Sequence, residues 1–237
     1  MDAVLLFSGQ GAQKVGMGKD LYDQYSVAKA LIEQADKALG ESLSAVMFEG
    51  PGEELTRTCN CQPALYVHGL ACLAVLKELV PSLNPVAAAG LSLGEFTAHA
   101  AAGTYSFEEG LRLVQKRGAF MEEACNATKG TMAAMIGGTD ENVIKLAQEC
   151  DVDVANFNCP GQTVVSGTEE GVAKAVAGAK AAGCKIAKKL NVAGAYHSRL
   201  MHSAMVKLAE ELKNISFGTP SMPVYCNYEA RVVEGPD

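Results

Sequence analysis

The sequence predicts an α/β protein in which a small β-α-β-β-α-β unit is set into a larger domain. Three observations lead there. A serine flanked by glycines, Gly90-Leu91-Ser92-Leu93-Gly94, lies between an uncharged apolar run and a small-residue helical pattern. A second apolar run, 4–8, breaks abruptly at Gly9-Gln10-Gly11-Ala12-Gln13. Between Thr131 and Val192, short strand and helix signals alternate in the order of a split βαβ motif.

The serine turn reads as strand, sharp bend, helix, which is the setting of a nucleophile elbow. Glycines at this spacing let the backbone turn tightly and keep side chains away from the hydroxyl. The helix start behind the serine presents backbone N–H groups that favour developing negative charge. An ordinary strand-to-helix turn is the bland alternative.

At 237 residues the chain is long enough for one large domain or two smaller ones. Its 49% hydrophobic and 20% charged residues are those of a globular protein. The net charge of −7 opposes non-specific binding to nucleic acid or anionic membrane, so neither is expected as a partner. The hydropathy pattern gives no membrane span and the basic start of a signal peptide is missing, so a cytoplasmic location is expected. Eight scattered cysteines suit reduced core thiols better than a disulfide framework. Cys59-Asn60-Cys61 is too closely spaced for the usual zinc motif, and neither a metal nor a cofactor is expected.

In chain order, apolar positions at 21, 28, 31, 32, 35 and 39 predict a helix over 20–38, stopped by Gly40. Pro63 fits the first turn of a largely buried helix that continues over 64–79 and contains His68, read as a core or helix-edge residue. After the serine turn, Ser106 caps a helix running to about residue 124, with Glu108 and Glu109 in its first turn. Arg117 lies four residues from both Leu113 and Met121, so it projects from the apolar stripe. There it needs an anion, a carbonyl cluster or a route for its head to reach water.

The small unit is predicted as strand 132–136, helix 141–150, strand 152–158, strand 163–166, helix 169–182 and strand 185–192, a ferredoxin-like pattern. Pro160-Gly161 turns the chain between the middle strands. A helix over 199–213 and a strand over 223–226 follow. The division is therefore a large domain, 1–128 with 194–237, and a small domain, 129–193.

A serine hydroxyl needs a base within hydrogen-bond reach. Of four histidines, His99 is seven residues along the helix behind the serine, about 10 Å away. His68 sits in an apolar helix, and His202 lies on another face of the helix after His197. His197, on a loop after a glycine, is the best base by elimination. His197 and His202 are about 140° apart on a helix, which argues against a shared metal. For an oxyanion, the backbone N–H of Leu93 is one donor, and the Gly9-Gln10-Gly11 loop is the candidate for the second.

These residues resemble a family. Phe7 to Gln13, Gly16-Met17-Gly18, Gln62-Pro63-Ala64-Leu65, Gly90 to Glu95, Arg117-Gly118 with Met121, Asn156, Asn158 to Gln162, and Tyr196-His197-Ser198 with Leu200-Met201 are similar to malonyl-CoA:acyl carrier protein transacylases. The acyltransferase domains of fatty-acid and polyketide synthases look similar too. The motifs come in family order and cover most of the chain from 4 to 227. The resemblance implies a hydrolase-like large domain with a parallel sheet, carrying the ferredoxin-like small one. It implies Ser92 as nucleophile, His197 as its base, Gln10 and Leu93 at the oxyanion hole, and Arg117 on the malonyl carboxylate. Gln62, Asn158, Leu91 and Tyr196 would line the acyl site.

The implied partners are malonyl-CoA and the phosphopantetheine arm of acyl carrier protein, and a monomer is expected. Carrier proteins are generally acidic, so Lys185, Lys188, Lys189 and Arg199 are candidates for a docking patch, with a solvated face as the alternative. Two features depart from the family. Leu91 stands where a histidine usually precedes the nucleophile. Family members also continue well past position 237, so an incomplete large domain with exposed apolar sheet surface is expected. The alternatives are a serine esterase or thioesterase, and a catalytically impaired carrier-protein binding module.

Overall fold

The computed structural model describes residues 1–233 and 235. The chain divides into two compact units, Met1–Ala119 with Glu210–Asp237, and Phe120–Ala209.

The first unit is built on a three-stranded parallel sheet. Strand β1 (Asp2–Phe7) pairs with β2 (Asn84–Gly90), and β2 pairs on its other side with β7 (Val224–Tyr225). The run Ala87-Ala88-Ala89-Gly90 lets neighbouring elements approach β2 closely, and Ala88 packs with Leu5, Leu73, Ala98 and Val224. One face of β1 buries Leu5, while Val4 and Leu6 on the other are 57% and 77% exposed.

Between the first two strands come α1 (Lys19–Gln24), α2 (Ser26–Leu39), α3 (Leu43–Glu49), α4 (Gly52–Thr56) and α5 (Thr58–Leu79). The single helix expected over 20–38 is thus two. Tyr25 adopts extended backbone between them. Across that break Leu21, Tyr25 and Val27 all pack on the cluster of Ala28, Ala71 and Val75. Gly40 ends α2 in the left-handed region at φ 72°, as expected.

Helix α5 also starts earlier than expected. The Arg57 carbonyl accepts hydrogen bonds from Asn60 and Cys61, so Pro63 lies inside the helix, beyond its first turn. Lacking an N–H, Pro63 cannot donate a helical hydrogen bond to the turn before it. By length and composition alone α5 would pass for a membrane span. Over half of its most apolar window is buried, and Ala64, Leu65, Tyr66 and Val67 form the centre of the core with Met47, Leu93, Leu111 and Val114. It is the core helix of this unit.

The second unit holds a four-stranded antiparallel sheet in the order β4-β5-β3-β6. Its elements are β3 (Gly130–Ile136), α8 (Asp140–Glu149), β4 (Asp153–Cys159), β5 (Gln162–Thr168), α9 (Glu169–Gly178) and β6 (Ile186–Lys189). Thr139 and Thr168 cap the two helices, each accepting a backbone N–H from the first turn. Gly161, at φ 78°, makes the hairpin turn between β4 and β5. Val143, Leu146, Val165, Val172 and Ala175 form the core between sheet and helices. The last strand stops at Lys189, short of the expected 192.

Helix α6 (Leu93–Ala101) follows β2, and α7 (Phe107–Ala127) begins after Ser106. Ser106 accepts from the Glu109 N–H while Glu109 accepts from the Ser106 N–H, a complete capping box. Near the C-terminal side a short 3-10 turn, Arg199–Met201, precedes α10 (His202–Leu212).

Candidate active site

The Ser92 turn is shaped by three close backbone approaches that only glycine allows. A β-carbon on Gly90 would lie 2.0 Å from the Gly94 carbonyl carbon. One on Gly94 would lie 2.3 Å from the Phe7 oxygen, and one on Gly9 2.6 Å from the Leu91 oxygen. Strand β2, helix α6 and the first loop therefore meet at backbone contact. Ser92 sits at the tip with φ 52° and ψ −100°, a conformation costly for a residue with a β-carbon. The Gly94 N–H donates to the Leu91 carbonyl at 2.8 Å, and the Leu91 N–H donates to the Phe7 carbonyl at 3.1 Å.

Asn227, two residues beyond β7, closes this turn. Its carboxamide oxygen accepts the Ser92 N–H, and its carboxamide nitrogen donates to the Gly90 carbonyl at 2.6 Å. Its backbone N–H donates to Glu95 Oε2 at 2.9 Å. Burial raises the Glu95 carboxyl above its ordinary range, opposed by the Asn227 N–H and by the charge of Arg117.

Arg117 is buried on α7, as its place in the apolar stripe required. Its guanidinium donates to Gln62 Oε1 at 2.7 Å and to Ser92 Oγ at 3.0 Å, and stands 5.2 Å from the centre of the Phe96 ring. Burial pulls it down to about 10, with Glu95 opposing, so it remains a cation at neutral pH. Among the described residues no carboxylate lies within ion-pair distance of it. A buried cation beside a serine hydroxyl, with only neutral groups in contact, is equipped to receive a carboxylate or to stabilise an oxyanion.

Leu93 is buried at the start of α6, and Gln10 is half-buried in the loop that crosses Leu91. Gln13 braces that loop by accepting the Gly11 N–H at 2.7 Å. Leu91 is half-exposed beside the serine, and Gln62 is fully buried. Cys61, next to it, has its thiol pushed up to about 12 by burial against a pull from a backbone bond to Gly11, which leaves it unreactive. His99 points away to Thr104 at 3.1 Å and His68 stays on α5; burial holds both imidazoles below their usual value.

Three expected site residues belong to the second unit. His197 occupies a turn of its own at φ 56°. Ser198 supports it, donating to the Ala195 carbonyl at 2.7 Å and accepting the Leu200 N–H at 3.2 Å. Tyr196 is buried with Met121, Cys125 and Met201. Asn158 is exposed near the end of β4, donating to Gln162 Oε1 at 3.2 Å. Arg199 is held by Asp153 at 2.9 Å and Asp151 at 2.8 Å, and Lys189 stands 3.7 Å from Glu169. Two of the four candidate docking cations therefore carry carboxylate partners already. The sequence reading missed Asn227, which nothing in its neighbourhood marked, and gave Glu95 no role although it adjoins the turn.

A parallel sheet ending in a strained serine turn, with a helix start behind it, is the layout of an α/β acyl-transfer enzyme. Comparison with known proteins gives that class its name: the acyl transferase domain family matches residues 4–236, and the chain belongs to it. Within it, the chain is 44% identical over 233 residues to the malonyl CoA-acyl carrier protein transacylase of Bacillus subtilis, covering 96% of this chain and 73% of that one. The solved structure of the Coxiella burnetii malonyl CoA-acyl carrier protein transacylase superposes with a TM-score of 0.94 at 35% identity, covering 98% of this chain and 75% of that one. A malonyl-transacylase solved in complex with a type II polyketide acyl-carrier protein superposes with a TM-score of 0.93 at 36% identity, covering 98% and 76%.

Proposed function

We propose that this chain moves a malonyl group from malonyl-CoA to the phosphopantetheine thiol of an acyl carrier protein, with Ser92 as the covalent relay. Ser92 Oγ attacks the thioester carbonyl, the oxygen–carbon bond forms and the carbon–sulfur bond to CoA breaks. His197 takes the hydroxyl proton and returns it to the departing thiolate; in the second half it activates the carrier thiol, which displaces Ser92. The Leu93 N–H and the Gln10 loop hold the oxyanion. Arg117 takes the malonyl carboxylate, and Gln62 orients the guanidinium. Leu91, Tyr196 and Asn158 line the acyl site.

The observation that carries this reading is Arg117, a buried cation within hydrogen-bond distance of a serine on a strained turn. The names of the relatives supply malonyl-CoA and the carrier protein. The strand order β4-β5-β3-β6, with a helix after β3 and another after β5, supports a ferredoxin-like small domain over 129–193. The remaining 1–128 with 194–237 is the hydrolase-like large domain, and the enzyme works in the cytoplasm.

Intact mass after brief exposure to malonyl-CoA tests the reading. A single malonyl adduct is expected, lost in Ser92→Ala; no adduct, or one that survives that substitution, overturns it. Arg117→Ala should weaken malonyl transfer by roughly 100-fold or more, with acetyl transfer far less affected. Equal losses would remove Arg117 from carboxylate recognition.

A further inference from the structure

We propose that Asn227 is a positioning residue for the acyl-transfer reaction, holding Ser92 in its reactive backbone conformation through both ends of one carboxamide. The inference rests on Ser92 being the nucleophile. The carboxamide bridges two groups that face it across the turn, an N–H on Ser92 and a C=O on Gly90. It is the side chain for that task, because one end accepts and the other donates in a fixed plane.

The backbone around it makes the bridge necessary. Ser92 at φ 52° and ψ −100° lies outside the regions that non-glycine residues prefer, and such a conformation persists only when its surroundings over-determine it. Gly90, Gly94 and Gly9 permit the close approaches, but permission does not hold a turn in place. Asn227 does, and is itself held by its backbone N–H on Glu95 Oε2, on the first turn of α6. The loop, the strand end and the helix start become one closed hydrogen-bonded circuit, with the nucleophile inside it. Asn227 touches neither the hydroxyl nor the acyl group, so it acts through Ser92.

Two variants test this in the full chain. Asn227→Ala removes both bonds and should slow formation of the malonyl-serine by about 10- to 100-fold, with KM for malonyl-CoA changed less than threefold. Asn227→Asp keeps the shape and the acceptor for Ser92, but as a carboxylate it presents an acceptor to the Gly90 carbonyl. Once protonated it regains a donor there. Its rate relative to the native chain should therefore climb at least fivefold from pH 8 to pH 5.5. A general loss of stability gives no such rise.

Labelling of Ser92 by a fluorophosphonate, which needs a positioned serine but no malonyl-CoA, should follow the same pattern in both variants. If the native chain is labelled yet takes no malonyl group, the substrate reading fails and the labelling still decides the role of Asn227. Asn227→Ala within twofold of native, or Asn227→Asp with a ratio flat in pH, overturns the inference. So does failure of both variants to fold at pH 5.5, which would make Asn227 a general structural contact.

Discussion

The turns that carry Ser92 and His197 both place a non-glycine residue at positive φ, 52° and 56°, but they are held in different ways. The Ser92 turn is closed from afar: its side-chain brace, Asn227, lies 135 residues away, and its backbone packs on Phe7 and Gly9 from the first strand and loop. Beside the His197 turn, Ser198 donates to the Ala195 carbonyl, and Arg199 is tied to Asp151 and Asp153, 48 and 46 residues away. The brace of the first turn bonds to the strained residue itself, whereas the bonds around the second run through the two residues that follow it. Damage to the first should propagate into its unit, whereas damage to the second should stay small.

The largest break in that comparison is expected from Gly94→Ala. A β-carbon 2.3 Å from the Phe7 oxygen must push β1 and α6 apart, with a loss of about 3 kcal/mol or more in urea unfolding and of the Ser92 adduct. On the other turn, Ser198→Ala removes one cap bond and one carbonyl bond and should cost about 1 kcal/mol. Similar losses from both would erase the distinction.

The smallest effect separates the two regions by pH. Burial lowers the His99 imidazole behind the Ser92 turn, so the unfolded chain binds the proton more readily. That contribution is complete above the unfolded value of about 6.5 and fades as pH falls through the lower folded one. For Asp153, burial works to raise the carboxyl, but its bonds to Arg199 prevail and lower it. Its contribution is complete above about 3.9 and fades as pH falls through a still lower value. Urea midpoints at pH 5.5 and 7.5 should differ less in His99→Gln than in the native chain, and Asp153→Asn should leave that difference unchanged.

What could be read from the sequence follows the same division. The antiparallel sheet was legible because its short strand and helix signals alternate along the chain and Pro160-Gly161 turns it between β4 and β5. The Ser92 turn was legible because its own glycines flank it, and Arg117 because helical spacing put a charge on an apolar stripe. Asn227 was invisible: one asparagine after a two-residue strand carries no periodic or capping signal. Tyr25 misled for a related reason, since the break it makes in the first long helix satisfies packing against Ala71 and Val75 on α5, a contact that spacing within 20–38 does not contain.

The long closure of the Ser92 turn also fixes an order of events during synthesis. A ribosome has made Ser92, its glycines and the whole of α6 long before Asn227 leaves the exit tunnel. Until then the Gly90 carbonyl and the Ser92 N–H lack the carboxamide that joins them. The nascent chain therefore carries its serine on an unfastened turn, and the reactive arrangement arrives late, after the second unit has already been translated.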